Sequence, residues 1–451
     1  MDNLPRRAWR VARCLRTSCP KASTLGSGAA AAVALMAAPA LAQPAAASTV
    51  NAADTAWMTV ASALVLMMTI PGLALFYGGM VRKKNVLATM AQSLAAVALI
   101  SILWVVYGYS LAFVGDGSWI GTLDRSLLGG LDIDSVNPLA KTIPEALFAL
   151  YQMTFAVITV ALVAGAVADR LRFSAYLVFS VLWFTLVYVP LAHWVWGGGF
   201  LAEAGVLDFA GGLVVHLSAG TAGLVAALVM GNRRGYGSDN LAPHDLSLAV
   251  IGTGLLWVGW FGFNGGSALQ AGSRAVMAIL ATHLAACAGA LTWTLIEWMT
   301  RRKPSVLGMI SGAVAGLGTI TPASGFVAPW HGIVIGVIAA GVCYWACTSL
   351  KHRFNYDDSL DVFGIHGIGG ALGTLLAGVF ATAAIGGSSG LLEGNAHLLL
   401  TQLYGVAVTF VWAGGMTFVL LKIANALVPL RVSIEHELEG LDLTQHGEAL
   451  Q

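Results

Sequence analysis

From Trp57 onward the chain repeats one unit, an apolar stretch of about twenty residues followed by a short polar connection. Eleven such stretches run over 55–80, 86–114, 142–168, 174–195, 208–230, 245–264, 274–298, 305–322, 329–350, 361–383 and 397–427. None alternates with the period of two that a barrel strand requires. Backbone groups in hydrocarbon must be satisfied within their own segment, so each stretch predicts a membrane-spanning helix. The expected fold class is an all-α polytopic membrane protein with eleven transmembrane helices.

The connections give the orientation. Arg82, Lys83, Lys84, Arg170, Arg172, Arg233, Arg234, Arg301, Arg302, Lys303, Lys351 and Arg353 all lie in odd-numbered connections, whereas only Arg125, Lys141 and Arg274 lie in even-numbered ones. The excess of basic residues on the cytoplasmic side predicts an external N-terminus and a cytoplasmic C-terminus. Ahead of the first span, residues 1–28 carry Arg6, Arg7, Arg10, Arg13, Arg16 and Lys21, residues 29–38 are apolar but too short to cross, and Ala40-Leu41-Ala42 is a small-residue cleavage pattern. This predicts a bacterial secretory signal peptide over 1–42, cleaved after Ala42. A membrane domain over 43–430 and a cytoplasmic tail over 431–451 follow.

Composition agrees: 57% of residues are hydrophobic and 10% charged, with a mean hydropathy of +0.79. A formal net charge of +1 excludes a strongly basic nucleic-acid binder. The 54 glycines point to close helix packing. Gly308, Gly312 and Gly316 share one helix face, as do the pairs Gly262/Gly266, Gly332/Gly336 and Gly369/Gly373. These are expected to pack within one subunit, with an oligomer interface as the alternative. Cys14, Cys19, Cys287, Cys343 and Cys347 show no metal-binding spacing.

An internal repeat is visible. Span five opens with Asp208-Phe-Ala-Gly-Gly212 and carries His216; span ten opens with Asp361-Val-Phe-Gly364 and carries His366. An offset of five spans inverts one half relative to the other, so spans 1–5 and 6–10 form inverted repeats with span 11 added. Such repeats surround a midplane site in transporters.

The chemistry is sparse. HExxH and Walker patterns are absent, and no enzyme reading has residues to support it. His216 and His366 lie mid-span, where ionisable groups are costly and commonly functional. Asp208 and Asp361 are expected to cap helix N-termini; for Asp208 the alternative is that its charge also helps hold an incoming cation. His193 and His283 have no repeat partner and read as structural. Trp196, Phe155, Phe263, Trp260, Tyr77 and Ser267 are placed near external span ends; singly each fits an interfacial belt, and together they make a candidate cation–π cup.

These segments resemble the ammonium transporter family (the Amt/Mep/Rh group), most closely its bacterial Amt branch. The matching stretches are Ile70-Pro-Gly-Leu-Ala-Leu-Phe-Tyr-Gly-Gly79, Ala192-His-Trp-Val-Trp-Gly-Gly-Gly199, Asp208-Phe-Ala-Gly-Gly212 with His216, Gly259-Trp-Phe-Gly-Phe-Asn264 with Ser267, and Asp361-Val-Phe-Gly-Ile-His-Gly367. They cover nearly the whole mature chain. The resemblance implies that Trp196, Phe155 and Ser267 recruit ammonium, supported by Asp208. It implies that Phe155 and Phe263 gate the pore, that His216 and His366 line it, and that Tyr77 and Trp260 support it. It further implies a homotrimer in the bacterial inner membrane, no cofactor, a PII-type signal protein at the cytoplasmic face, and a regulatory tail containing Gly440-Leu-Asp442 and His446-Gly-Glu448. Three rivals stand beside this reading. A haem subunit would use His216 and His366 as axial ligands. A sensor would use the same cup, although the short stretch after residue 430 weighs against autonomous signalling. An Rh-type channel would pass neutral gas and make little use of a cation cup.

Overall fold

The structure is a computed structural model that describes residues 49–450. The predicted signal peptide over 1–42 and its cleavage site lie outside the described residues. Those described form a helical membrane domain with no named strand. Ten helices are long and apolar enough to cross a membrane: α1 Ala52–Met80, α2 Lys83–Phe113, α3 Glu145–Val167, α4 Phe173–Glu203, α5 Gly212–Met230, α6 Leu246–Gly265, α7 Ser273–Arg301, α9 Pro329–Phe354, α10 Phe363–Phe380 and α11 Ala396–Leu427. The eighth predicted span is a shorter apolar helix, α8 Val306–Ile320. At 1.5 Å per residue it covers roughly 22 Å of a ~30 Å hydrocarbon layer. An irregular segment extends it and is held by neighbours: Phe209 N donates to Pro322 O at 3.1 Å and Thr382 N to Phe326 O at 2.8 Å.

The connections segregate to two opposite faces, as alternating crossings demand. On one face Asn51 N bonds Thr142 O, Phe200 N bonds Ser118 O, and Asp54 accepts from Ala271 N. On the other, Arg82 pairs with Asp169, Arg233 pairs with Asp169 and Asp357, and the tail is attached. The two are called the Asn51 face and the tail face below.

Glycine spacing does its work inside the chain. A Cβ on Gly312 would lie 2.5 Å from Gly289 O, one on Gly316 2.2 Å from Ala285 O, and one on Gly332 2.3 Å from Ala281 O, so α8 and α9 approach α7 at backbone distance.

The tail is docked. Val432 N donates to Arg170 O and Arg172 N to Leu430 O. Arg431 pairs with Glu437 at 2.7 Å, whose other oxygen accepts from Arg234 N at 2.7 Å. Asp442 caps α2 by accepting from Leu87 N at 3.1 Å and Ala88 N at 2.8 Å. Beneath it, Arg233 grips both oxygens of Asp357, at 2.9 and 2.8 Å. Burial raises the Asp357 carboxyl, but Arg233 and Arg170 outweigh it and hold the group below its ordinary value. Burial also pulls the Arg170 guanidinium down to about 10.

Candidate functional site

The site is built where α5 crosses α10. Each helix opens with a wide π-helical turn, Gly212–Leu217 in α5 and Phe363–Gly367 in α10, and each turn carries one histidine. Turns of this width concentrate at functional positions. An aspartate caps each opening. The Asp208 carboxylate accepts from Gly211, Gly212, Leu213 and Val214 N–H at 2.8, 2.6, 2.8 and 3.2 Å, satisfying all four donors that a helix start leaves unpaired. The Asp358 carboxylate accepts from Val362 N at 3.1 Å and Phe363 N at 2.7 Å.

Asp358, and not Asp361, is therefore the counterpart of Asp208. The expectation that Asp361 caps its helix fails because its side chain pairs with Lys351 at 2.7 Å. Asp361 has φ +57°, and the equivalent position in the other half is Gly211 with φ +115°. The local likeness of Asp361-Val-Phe-Gly364 to the Asp208 segment is out of register by three residues. A constant offset of 150 relates Asp208 to Asp358, Gly211 to Asp361, His216 to His366 and Gly220 to Gly370. The two glycines let the helices touch: a Cβ on Gly220 would lie 2.1 Å from Gly367 N, and one on Gly370 2.5 Å from Gly212 O.

This crossing brings the imidazoles together. His216 Nδ1 and His366 Nδ1 are 3.2 Å apart, with ring centroids 5.2 Å apart at 18°. His216 and His366 are 1% and 4% exposed. The Nδ1 contact requires that one ring donates and the other accepts. His216 Nε2 has no protein partner.

A column of rings leads from the Asn51 face to this pair. Trp196 meets Phe155 edge-on at 5.8 Å, Phe155 stacks on Phe263 at 4.1 Å, and Phe263 lies 6.1 Å from His216. Trp196 is oriented by its indole N–H, which donates to Asp208 O at 2.8 Å. Tyr151, which sequence reasoning missed, donates to the Phe263 carbonyl at 2.8 Å and lies 3.3 Å from Ser267 Oγ. Trp260 stacks against His216 at 5.6 Å and donates to Thr321 Oγ1 at 2.9 Å.

Three cavities follow one another along this column. The first, about 240 Å³, opens at the Asn51 face and is walled by Trp196, Phe155, Ser267, Phe209 and Gln152, among others. The second, about 10 Å³, contains His216 and His366 among apolar side chains including Phe263, Trp260 and Val215. The third, about 130 Å³, lies toward the tail face and contains His366, Tyr77, Ser311 and Asp361. Phe155 and Phe263 separate the first from the second. His366 borders both the second and the third.

Two expectations are corrected by this geometry. Tyr77 is not at the Trp196 end: it lines the tail-face cavity and donates to Leu162 O at 3.1 Å. Its span begins at the Asn51 face, so residue 77 falls at the far end. Trp260 lies in the middle of the path and not at its mouth. The haem rival does not fit, because a 10 Å³ gap and a 3.2 Å ring contact leave no space for a macrocycle. Among the described residues no cluster of three or more His, Cys, Asp or Glu could hold a metal. His193 bonds the carbonyls of Ala112, at 3.0 Å, and Gly117. His283 accepts from Trp257 Nε1 at 3.2 Å. Neither histidine joins the path.

Fold and site together define a multi-pass membrane protein with a narrow, largely apolar path between its faces. The sequence model of the Ammonium Transporter Family matches residues 56–450. An ammonium transporter of Bacillus subtilis is 50% identical over 397 residues, covering 88% of this chain and 97% of that protein. The ammonium transporter Amt1 of Archaeoglobus fulgidus is 45% identical over 396 residues, covering 88% of this chain and 98% of that protein. The crystal structure of Saccharomyces cerevisiae Mep2 superposes with a TM-score of 0.80 at 39% identity, covering 86% of this chain and 89% of that chain. A structure described as a sensor Amt protein superposes at 0.81 with 27% identity, covering 87% and 98%. The chain belongs to the ammonium transporter family, a family of transporters and not of enzymes.

Proposed function

We propose that this protein takes up ammonium across the inner membrane of a bacterium, with the Asn51 face outside and the tail in the cytoplasm. Trp196, Phe155 and Ser267 gather the ion in the first cavity. A ring face contributes about 0.5–2 kcal/mol to a desolvated cation, and the Ser267 hydroxyl adds an acceptor. Asp208 sets the position of Trp196 through its carbonyl and anchors the α5 start through its carboxylate.

Ammonium and potassium have similar sizes, so a sieve cannot separate them. The apolar second cavity penalises any ion by several kcal/mol or more. Potassium cannot shed its charge, whereas ammonium can pass a proton on and proceed as ammonia. Phe155 and Phe263 move aside to admit it. His216 and His366 then offer a neutral donor–acceptor pair. With His216 protonated on Nδ1 and His366 on Nε2, His216 Nε2 takes the proton that ammonium sheds, the Nδ1 proton passes to His366 Nδ1, and His366 releases its Nε2 proton toward the third cavity. Ammonia and proton recombine in the third cavity beside His366.

The 3.2 Å contact between buried imidazoles within an otherwise apolar cavity carries this reading. It is tested by His366→Ala in proteoliposomes: loss of ammonium-evoked current, or admission of potassium, supports it, and unchanged current with unchanged selectivity removes the pair from the path. The proposal extends to a homotrimer with one path per subunit and to a PII-type signal protein docking at the tail face. The likeness to a sensor Amt structure favours one second reading, an ammonium sensor of the same fold. Binding without flux would identify it.

A further inference from the structure

We propose that Arg274 sets the affinity of the outer cup by holding a fixed positive charge one ring away from it. This rests on the reading of that cup as the cation recruitment site.

Arg274 is placed where stability alone disfavours it. It is the second residue of α7, at the positive end of a 29-residue helix. It joins none of the ion pairs among the described residues. Its protein hydrogen bond is from Nε to Gly325 O at 2.9 Å. The guanidinium carbon instead lies 5.1 Å from the ring centres of both Phe209 and Phe326, which meet edge-on at 5.6 Å. Gly325 makes the arrangement possible, because a Cβ there would fall 2.1 Å from the Phe209 ring. Phe209 in turn walls the first cavity together with Trp196, Phe155 and Ser267. The neighbouring Asp208 forms no ion pair with Arg274; its carboxylate is turned to four backbone N–H groups instead.

Two consequences follow. The Phe209 ring already serves one cation, so its attraction for a second is reduced. In addition, a cation in the cup lies within about 10 Å of the guanidinium, where the repulsion weakens its binding roughly two- to tenfold. The charge acts on ammonium and potassium but leaves ammonia untouched. A site that must release its ion into a pore benefits from being weak. Arg274 is a specificity-determining residue in this sense and touches no substrate.

The test is the ammonium concentration dependence of the transport current in proteoliposomes. It compares the wild type, Arg274→Gln, Arg274→Met, Arg274→Lys and Trp196→Leu, between about 10 mM and about 300 mM choline chloride. Arg274→Gln or Arg274→Met should lower half-saturating ammonium roughly two- to tenfold at low salt, and the difference from wild type should shrink at high salt. Arg274→Lys should stay near wild type. The proposal is overturned if the neutral variants leave half-saturation unchanged, if Lys behaves like Gln, or if Lys alone of the three assembles, since the charge then serves folding and not affinity. Should Trp196→Leu shift half-saturation while Arg274→Gln does not, the cup stands and this inference fails. Should neither shift it, the cup itself is misassigned.

Discussion

At the scale of single residues, the proposed mechanism makes the shared contact between His216 and His366 the element that selects what passes. Two neutral rings at 3.2 Å offer hydrogen bonds to a small polar molecule but no compensation for a bare cation. Replacing either ring by alanine removes the relay and enlarges the 10 Å³ cavity. His216→Ala should therefore abolish ammonium current or let potassium carry one, as read by ion-substitution currents. Trp196→Leu removes one ring of the cup. Losing about 1–2 kcal/mol should raise half-saturating ammonium by roughly five- to thirtyfold with a smaller change in maximal rate. An identical concentration dependence would remove Trp196 from recruitment.

At the scale of elements, the geometry depends on how α5 and α10 start and where they cross. Asp358 holds two N–H groups at the α10 start, whereas Asp361 is committed to Lys351. Asp358→Asn should lower thermal stability by more than Asp361→Asn, by about 1–2 kcal/mol, because a buried charged acceptor is lost. Melting of the purified variants checks the order. Gly220→Val should block assembly, since its side chain would enter the Gly367 backbone; size-exclusion profiles of the expressed variant read this directly.

The crossings themselves were legible in the sequence, since twenty-residue apolar runs have few other uses in a bilayer. So were both histidines, because charge-bearing groups stand out in apolar helices. Asp358 was hidden. The local likeness of Asp361-Val-Phe-Gly364 to the Asp208 segment points three residues downstream of it, and only the constant 150-residue offset reveals the true register. Tyr151 and Thr321 were missed for another reason: their roles are hydrogen bonds to partners far along the chain, at Phe263 and Trp260. No periodicity encodes such contacts.

At the scale of the whole molecule, the two halves meet back to back at one path while the tail ties the opposite ends of several helices together. Leu441 N bonds Asn85 Oδ1 at 2.8 Å, Asn85 bonds Asp169, and Asp169 and Asp357 share Arg233. The tail thus reaches, through buried polar groups, the residue preceding the α10 cap. In the proposed mechanism the apolar passage admits nitrogen only after a proton has been separated from it. The most direct measurement is the transient current evoked by ammonium in proteoliposomes of the purified protein, recorded beside His216→Ala and beside potassium at equal concentration. The account predicts a saturable wild-type current that potassium does not reproduce and that His216→Ala abolishes or opens to potassium. A potassium current equal to that of ammonium in the wild type, or a His216→Ala current matching the wild type in size and selectivity, would contradict it.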